Sequence, residues 1–236
     1  MLDPLIKFYE GKGVARTVEA PLKGYAVAVV GLGGLGQMGI RLAKAMGAEV
    51  TVVSRSASKK ALADRCGADH FVVSTEPAAM AARAQTIDIM LNTVPSHHNY
   101  VAFCPLLNAK GYQVILGLHV GLGGAIVVNG LTLGYSRIKS SGIGGIPNTQ
   151  AAIDLCDKFK IYPEIKVVPC SELNRVYTKL DGANDEGVRY VLDIANTLKP
   201  GVTCGEAPTL GHASGTLSLA SSLKEGLWLF FTGKWL

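Results

Sequence analysis

The run Gly31-Leu32-Gly33-Gly34-Leu35-Gly36 follows directly on the apolar stretch that holds Val27, Val29 and Val30. It has the spacing G-x-G-x-x-G, and its context narrows the folds open to this chain more than any other feature. A short β-branched run bounded by glycine reads as a buried parallel strand. Leu35, Met38, Leu42 and Met46 then recur at helical spacing, with Arg41 and Lys44 on the other face and Gly47 as a stop. Val50-Thr51-Val52-Val53 supplies a second strand. Strand, glycine turn, helix, strand is the setting in which this motif reads as dinucleotide-binding; the plain alternative is that the glycines merely close the turn. Gly31 allows the tight turn, Gly33 lets the backbone approach a pyrophosphate, and Gly36 lets helix and strand pack closely. The unpaired N–H groups at the helix start, where Gly34 and Leu35 lie, attract the phosphate charge.

The end of the second strand selects the dinucleotide. A carboxylate about 20 residues past the glycines would hold a ribose 2′-OH. This chain has Ser54-Arg55-Ser56-Ala57-Ser58-Lys59-Lys60 there, with three hydroxyls, three cations and no acid. Such groups suit charge-assisted hydrogen bonds to a 2′-phosphate, so NADP(H) is the expected cofactor. A solvated helix start capped by Ser56 or Ser58 is the alternative, although cations at that end run against the helix dipole.

With 236 residues, 48% of them hydrophobic and 17% charged, the chain can bury one good core. A net charge of +5, without a Lys/Arg block, does not argue for nucleic acid. The start, Met1-Leu2-Asp3-Pro4-Leu5-Ile6-Lys7, lacks an apolar core of signal-peptide length, and no apolar run reaches membrane-spanning length. The expectation is a cytoplasmic protein without a membrane partner. Five cysteines are scattered singly, against a disulfide framework or a structural zinc site. The adjacent pair His97-His98 diverges on any regular element and does not suggest a shared metal.

Further strands are expected at residues 70–73, 87–92, 112–116, 125–129, 137–141, 165–168 and 189–192. Helices are expected at 60–66, 78–84, 100–107, 149–159 and 171–180. This alternation indicates an α/β fold, a doubly wound parallel sheet of Rossmann type. Ligands in such sheets lie beyond the strand C-termini, which points to Thr93, Val94 and Pro95, to Gly117 and Leu118, and to residues 140–143. Residues 1–24 read as a lead-in segment, 25–198 as the NADP(H)-binding domain with its closing strand, and 199–236 as a tail.

From about residue 3 to 198 the sequence resembles the C-terminal half of the zinc-dependent medium-chain alcohol dehydrogenases, close to their cinnamyl-alcohol-dehydrogenase-like branch. The likeness is carried by Val30 and the glycine motif, residues 54–60, Ser140-Ser141-Gly142-Ile143-Gly144-Gly145, and Val188-Arg189-Tyr190-Val191-Leu192-Asp193 closing on Asn196-Thr197-Leu198. The resemblance implies that Gly33, Gly34 and Leu35 face the pyrophosphate and that Ser54, Arg55, Ser56 and Lys59 hold the 2′-phosphate. Position 55 is often Thr in the family. Thr93 and Val94 would lie near adenine and ribose. Gly117 and Leu118, with Ser141, Gly142 and Ile143, would bracket the nicotinamide and its ribose, and Arg189 would reach the pyrophosphate. Leu118 and Ile143 as core residues, and Arg189 as a surface ion-pair partner, are the plain alternatives.

In that family a preceding domain supplies the catalytic zinc ligands, including a Gly-His-Glu segment, and the structural zinc cysteines. None of the five cysteines here matches a family ligand. The resemblance therefore implies a chain with remnants of an absent catalytic domain at both ends. It would bind cofactor but, lacking the zinc that polarises the oxygen of an alcohol or aldehyde, be inactive alone. It also implies a homodimer through the sheet edge near residues 125–141. A non-catalytic NADP(H)-binding or dimerisation module is the rival reading. Tyr135 and Lys139 have the Tyr-x-x-x-Lys spacing of a short-chain dehydrogenase, but they lead into a strand, where that chemistry needs a helix.

Overall fold

The computed structural model describes residues 21–96, 98–117, 137–142, 144–182 and 187–199. The chain divides into two units, Met1–Pro163 and Glu164–Leu236. In the first, six parallel strands stand in the order β3-β2-β1-β4-β5-β6. They are β1 (Ala26–Val30), β2 (Glu49–Ser54), β3 (His70–Val73), β4 (Ile87–Asn92), β5 (Leu107–Ile115) and β6 (Ile138–Ser140). The order reverses direction between β1 and β4, the switch point at which doubly wound sheets open a crevice.

Alternate residues of the central strands feed two cores. On one face Val27, Val29, Val50, Val52, Ile89 and Leu91 pack with Ile40 and Ala43 of helix α1 (Gly34–Ala45), with Met46 just past its end, and with Leu62, Ala63 and Cys66 of α2 (Lys60–Cys66). On the other, Ala28, Val30, Val53, Val72 and Met90 pack with Leu106 and with half-buried Ala79 and Met80 of α3 (Pro77–Ala82). Cover on both faces explains why β1 and β4 read as continuous apolar runs rather than alternating ones.

Three expectations need correction. Leu35, placed on the buried stripe of α1, is 50% exposed, and Met38 is half-buried. The buried face instead runs through Gly36, Gln37, Gly39, Ile40, Leu42 and Ala43, because small residues let the helix lie close against β1. The helix expected at residues 100–107 is a 3-10 run, Tyr100–Leu106, with Pro105 inside it removing one N–H donor. Strand β5 begins at Leu107, earlier than residue 112, because a register shift lies between the pairs Ile87–Leu107 and Ile89–Tyr112. Arg137 secures the extra β5 residues by donating to the carbonyls of Leu107 and Asn108 at 3.1 and 2.5 Å and of Gly111 at 3.3 Å.

Helix α4 (Ile146–Lys158) closes the described part of the first unit. In the second, β7 (Ile165–Val168) and β8 (Arg189–Leu192) form a two-stranded parallel sheet. Helix α5 (Leu173–Gly182) and the short α6 (Ile194–Thr197) accompany it, the latter capped by Asp193 Oδ1 accepting from Asn196 N at 3.2 Å. The strand expected at 125–129 lies outside the described residues, as do the lead-in up to residue 20 and the tail from 200 onward. No helix among the described residues is long and apolar enough to cross a membrane.

Candidate functional site

The C-terminal ends of all six strands are tied side by side, each by the backbone of the residue that follows its neighbour. Ser74 N donates to Ser54 O at 2.8 Å, Gly31 N to Val53 O at 3.1 Å, and Thr93 N to Val30 O at 2.9 Å. Leu116 N donates to Asn92 O at 2.8 Å and Ser141 N to Ile115 O at 3.1 Å. Residues named from the sequence as cofactor contacts therefore line one rim: Gly31, Gly33, Gly34, Leu35 and Gly36 after β1, Ser54 ending β2 with Arg55, Ser56 and Lys59 after it, Thr93 and Val94 after β4, Gly117 after β5, Ser141 and Gly142 after β6. Leu118 and Ile143 lie outside the described residues. Arg189 sits on β8 in the second unit, exposed, its N–H given to Glu164 O at 2.8 Å.

At the centre of the rim the glycines meet steric demands that can be measured. Gly31 has φ +91°, where a side chain is strained. A Cβ on Gly36 would lie 2.1 Å from Gly31 O, so α1 starts in direct contact with the turn that feeds it. Thr93 closes the same turn, its Oγ1 donating to Val30 O at 2.9 Å. The hydroxyl expected near adenine and ribose thus holds the elbow itself. Around Gly33, by contrast, a Cβ would meet nothing within 4 Å. Gly33 is also the N-cap of α1 and offers no side-chain cap, and the first turn carries no acid. An open glycine before uncapped helix N–H groups fits the pyrophosphate of a dinucleotide.

The loop after β2 is built by its own hydroxyls. Ser54 Oγ accepts from Ser56 N at 3.4 Å, Ser56 Oγ accepts from Ser58 N at 3.2 Å, and Ser56 Oγ lies 2.8 Å from Ser58 Oγ. Ser56 therefore caps the 3-10 turn Ala57–Lys59, as the alternative reading of this loop had it. Capping uses the acceptor side of the hydroxyls. Since a serine hydroxyl has a proton as well as two lone pairs, Ser54 can still donate to an anion. Lys60 pairs with Asp64 at 2.8 Å one helical turn on, while Arg55 stands exposed and Lys59 half-buried at the loop. The donor set fits a phosphate monoester.

Sequence reasoning missed a polar cluster beneath the rim. Asn92 and Gln113, ending or lying within apolar strands, are fully buried and hydrogen-bonded to each other at 2.8 Å, and His98 joins them. A single Asn closing Ile87-Asp88-Ile89-Met90-Leu91 was the available signal. His97 lies outside the described residues. Among those described, no group of three or more His, Cys, Asp or Glu side chains could hold a metal ion, so they do not fit a zinc ion. Cys66, Cys104, Cys156 and Cys170 are free thiols, and burial pushes the Cys104 thiol above its usual range, with nearby Arg137 acting the other way.

Comparison with known proteins follows the same outline. The family model described as "Zinc-binding dehydrogenase" matches residues 34–158. A probable cinnamyl alcohol dehydrogenase of Saccharum officinarum is 38% identical over 189 residues, 77% of this chain and 51% of that protein. Among solved structures, a cinnamyl alcohol dehydrogenase of Sorghum bicolor superposes with a TM-score of 0.67 at 32% identity, covering 83% of this chain and 52% of that one. One from Helicobacter pylori, solved in complex with NADP(H), gives 0.62 at 30% identity over the same shares. The chain spans about half the length of the relatives it matches.

Proposed function

This chain belongs to the zinc-binding dehydrogenase family, in its cinnamyl-alcohol-dehydrogenase-like branch, and from that premise we propose that it is the NADP(H)-binding part of an alcohol dehydrogenase. The enzyme would act on the CH–OH group of small-molecule primary alcohols and the corresponding aldehydes. The observation that carries the reading is the pairing of two anion sites on one rim. One is the open, uncapped start of α1 at Gly33; the other is the acid-free loop of Ser54, Arg55, Ser56 and Lys59. The bacterial relative's NADP(H) complex supports the choice of cofactor.

The nicotinamide ring, when bound, accepts or donates the hydride. The chain's own residues bind and orient. N–H groups at the start of α1 take the pyrophosphate without a competing carboxylate. Hydroxyl and cationic groups after β2 neutralise the 2′-phosphate, which an acid at that place would repel. Gly117, Ser141 and Gly142, at the ends of β5 and β6, supply backbone for the nicotinamide half.

The test is a fluorescence titration of the 236-residue chain with NADPH and, separately, with NADH. NADPH is expected to bind at least tenfold more tightly, a difference of about 1.4 kcal/mol. Equal affinities, or a preference for NADH, overturn the assignment. Alcohol oxidation by the chain, with and without added zinc, is assayed separately from binding.

A further inference from the structure

Beneath the rim, Asn92 sits at the end of β4 with no solvent exposure and every polar atom of its amide engaged. Its Nδ2 donates to Gln113 Oε1 at 2.8 Å and lies 2.9 Å from His98 Nε2. Its Oδ1 accepts from Val94 N at 3.3 Å. Gln113 passes the chain on, Nε2 donating to Tyr100 O at 3.0 Å. His98 Nδ1 lies 2.7 Å from Ser96 O, a carbonyl that can only accept. These contacts fix the direction of every bond. Turning the Asn92 amide over would set Nδ2 against the Val94 N–H. With Asn92 as the donor, His98 Nε2 must accept, and Nδ1 must carry the proton given to Ser96 O. The imidazole is thus neutral and bridges a buried amide to the loop that leaves β4. Its ring packs on Tyr100 and Phe103 at centroid distances of 4.4 and 5.9 Å.

Val94, at the head of this relay, cannot shift alone. A Cβ on Gly117 would lie 2.0 Å from Val94 O, and one on Gly31 would lie 3.0 Å from Val94 Cγ2. The Val94 backbone is therefore wedged between the turn after β1 and the turn after β5.

We infer that His98 is a positioning residue for the dinucleotide: by accepting from Asn92 it holds the Asn92 carbonyl on the Val94 N–H, and so sets the two turns that flank the crevice. The inference rests on the reading that this crevice takes NADP(H). In this role His98 acts through Asn92 and Val94. Without its acceptor one Asn92 Nδ2 proton is left buried and unpaired, Gln113 alone holds the amide, the hydrogen bond to the Val94 N–H weakens, and the spacing between the turns relaxes.

The experiment uses the full 236-residue chain, wild type, His98→Phe and His98→Gln. Phenylalanine keeps the packing on Tyr100 and Phe103 but accepts nothing, whereas glutamine restores an oxygen acceptor. Hydrogen exchange at Val94 N–H, measured without ligand, is expected to quicken at least tenfold in His98→Phe and to return toward wild type in His98→Gln. The NADPH dissociation constant should follow, rising about tenfold and then recovering, while β1 amides stay protected. Unchanged Val94 exchange in His98→Phe, or faster exchange with NADPH affinity within twofold of wild type, overturns the inference. Nitrogen chemical shifts of the wild-type imidazole decide it even if His98→Phe does not fold: a proton on Nε2, or a charged ring at neutral pH, is incompatible with the relay. Failure of the cofactor reading has its own signature. The wild-type chain then binds no NADPH although Val94 exchange responds to His98→Phe, and the positioning role falls with it.

Discussion

Replacing Gly36 with alanine tests the contact on which the elbow is built. The new Cβ would lie 2.1 Å from Gly31 O, 3.0 Å from Gly31 C and 3.3 Å from Thr93 Oγ1. Ordinary contact begins near about 3.5 Å, so the overlap with the carbonyl exceeds an ångström. That neighbour is backbone and has no rotamer to retreat into. Overpacking of this kind costs about 1–3 kcal/mol. A clash this deep with backbone lies at the upper end, about 2–3 kcal/mol, and alanine recovers about 1 kcal/mol of helix propensity, leaving a net loss of about 1–2 kcal/mol. For a unit of this size that lowers the thermal midpoint by roughly 2–8 °C. The helix start must also move away from the turn, weakening NADPH binding. Gly33→Ala is the contrasting control. Its Cβ meets nothing within 4 Å, so stability should stay within about 1 kcal/mol while NADPH affinity falls at least tenfold. Differential scanning fluorimetry and NADPH titration read both effects. A Gly36→Ala chain that melts and binds as wild type would refute the close approach of α1 to the elbow.

Ser54→Asp places a carboxylate where the 2′-phosphate is expected; like-charge repulsion should weaken NADPH about tenfold or more and leave NADH little changed, as read by parallel titrations. Glu49 donates nothing but accepts from Arg83 Nη2 at 3.2 Å and lies 2.6 Å from His70 Nε2, and these hydrogen bonds hold its carboxyl below the usual carboxylate range. The stabilisation is full above about pH 4.3, the free value, and is lost as pH falls through the lowered folded value. Glu49→Gln should therefore flatten the acid limb of a pH–stability curve, and an unchanged limb would count against this network. Burial pushes the Tyr112 phenol up to about 12, with Lys139 Nζ 4.1 Å above its ring. The folded chain keeps that proton where the unfolded chain loses it, so stability is full below about pH 10 and falls as pH rises toward 12. Absorbance titration should show a late tyrosinate component near pH 12 that is lost in Tyr112→Phe.

The features written locally in the sequence were legible. β1, β2 and β4 follow from short apolar runs, and α2 ends at Cys66 as expected, with Gly67 after it in the left-handed conformation, φ +93°. The glycine elbow and the acid-free loop were readable as local structure for the same reason, since each lies within a few consecutive residues. What escaped depends on contacts between distant residues. Leu35 looked like core because periodicity counts apolar side chains, whereas the face of α1 nearest the sheet is chosen by close approach and carries Gly36 and Gly39. The early start of β5 depends on Arg137, about thirty residues away, gathering the carbonyls of Leu107 and Asn108. The relay joins Asn92 to partners 6 and 21 positions along, a spacing that no helix or strand period marks. The Lys60–Asp64 pair was readable from its i,i+4 spacing, and it engages Lys60 away from the loop.

The most direct measurement is a crystal structure of the chain grown with NADP⁺. It should show the pyrophosphate on the N–H groups at the start of α1 and the 2′-phosphate within hydrogen-bonding distance of Ser54, Arg55, Ser56 or Lys59. A nucleotide bound away from Gly33, or one whose 2′-phosphate turns from that loop, would contradict the account.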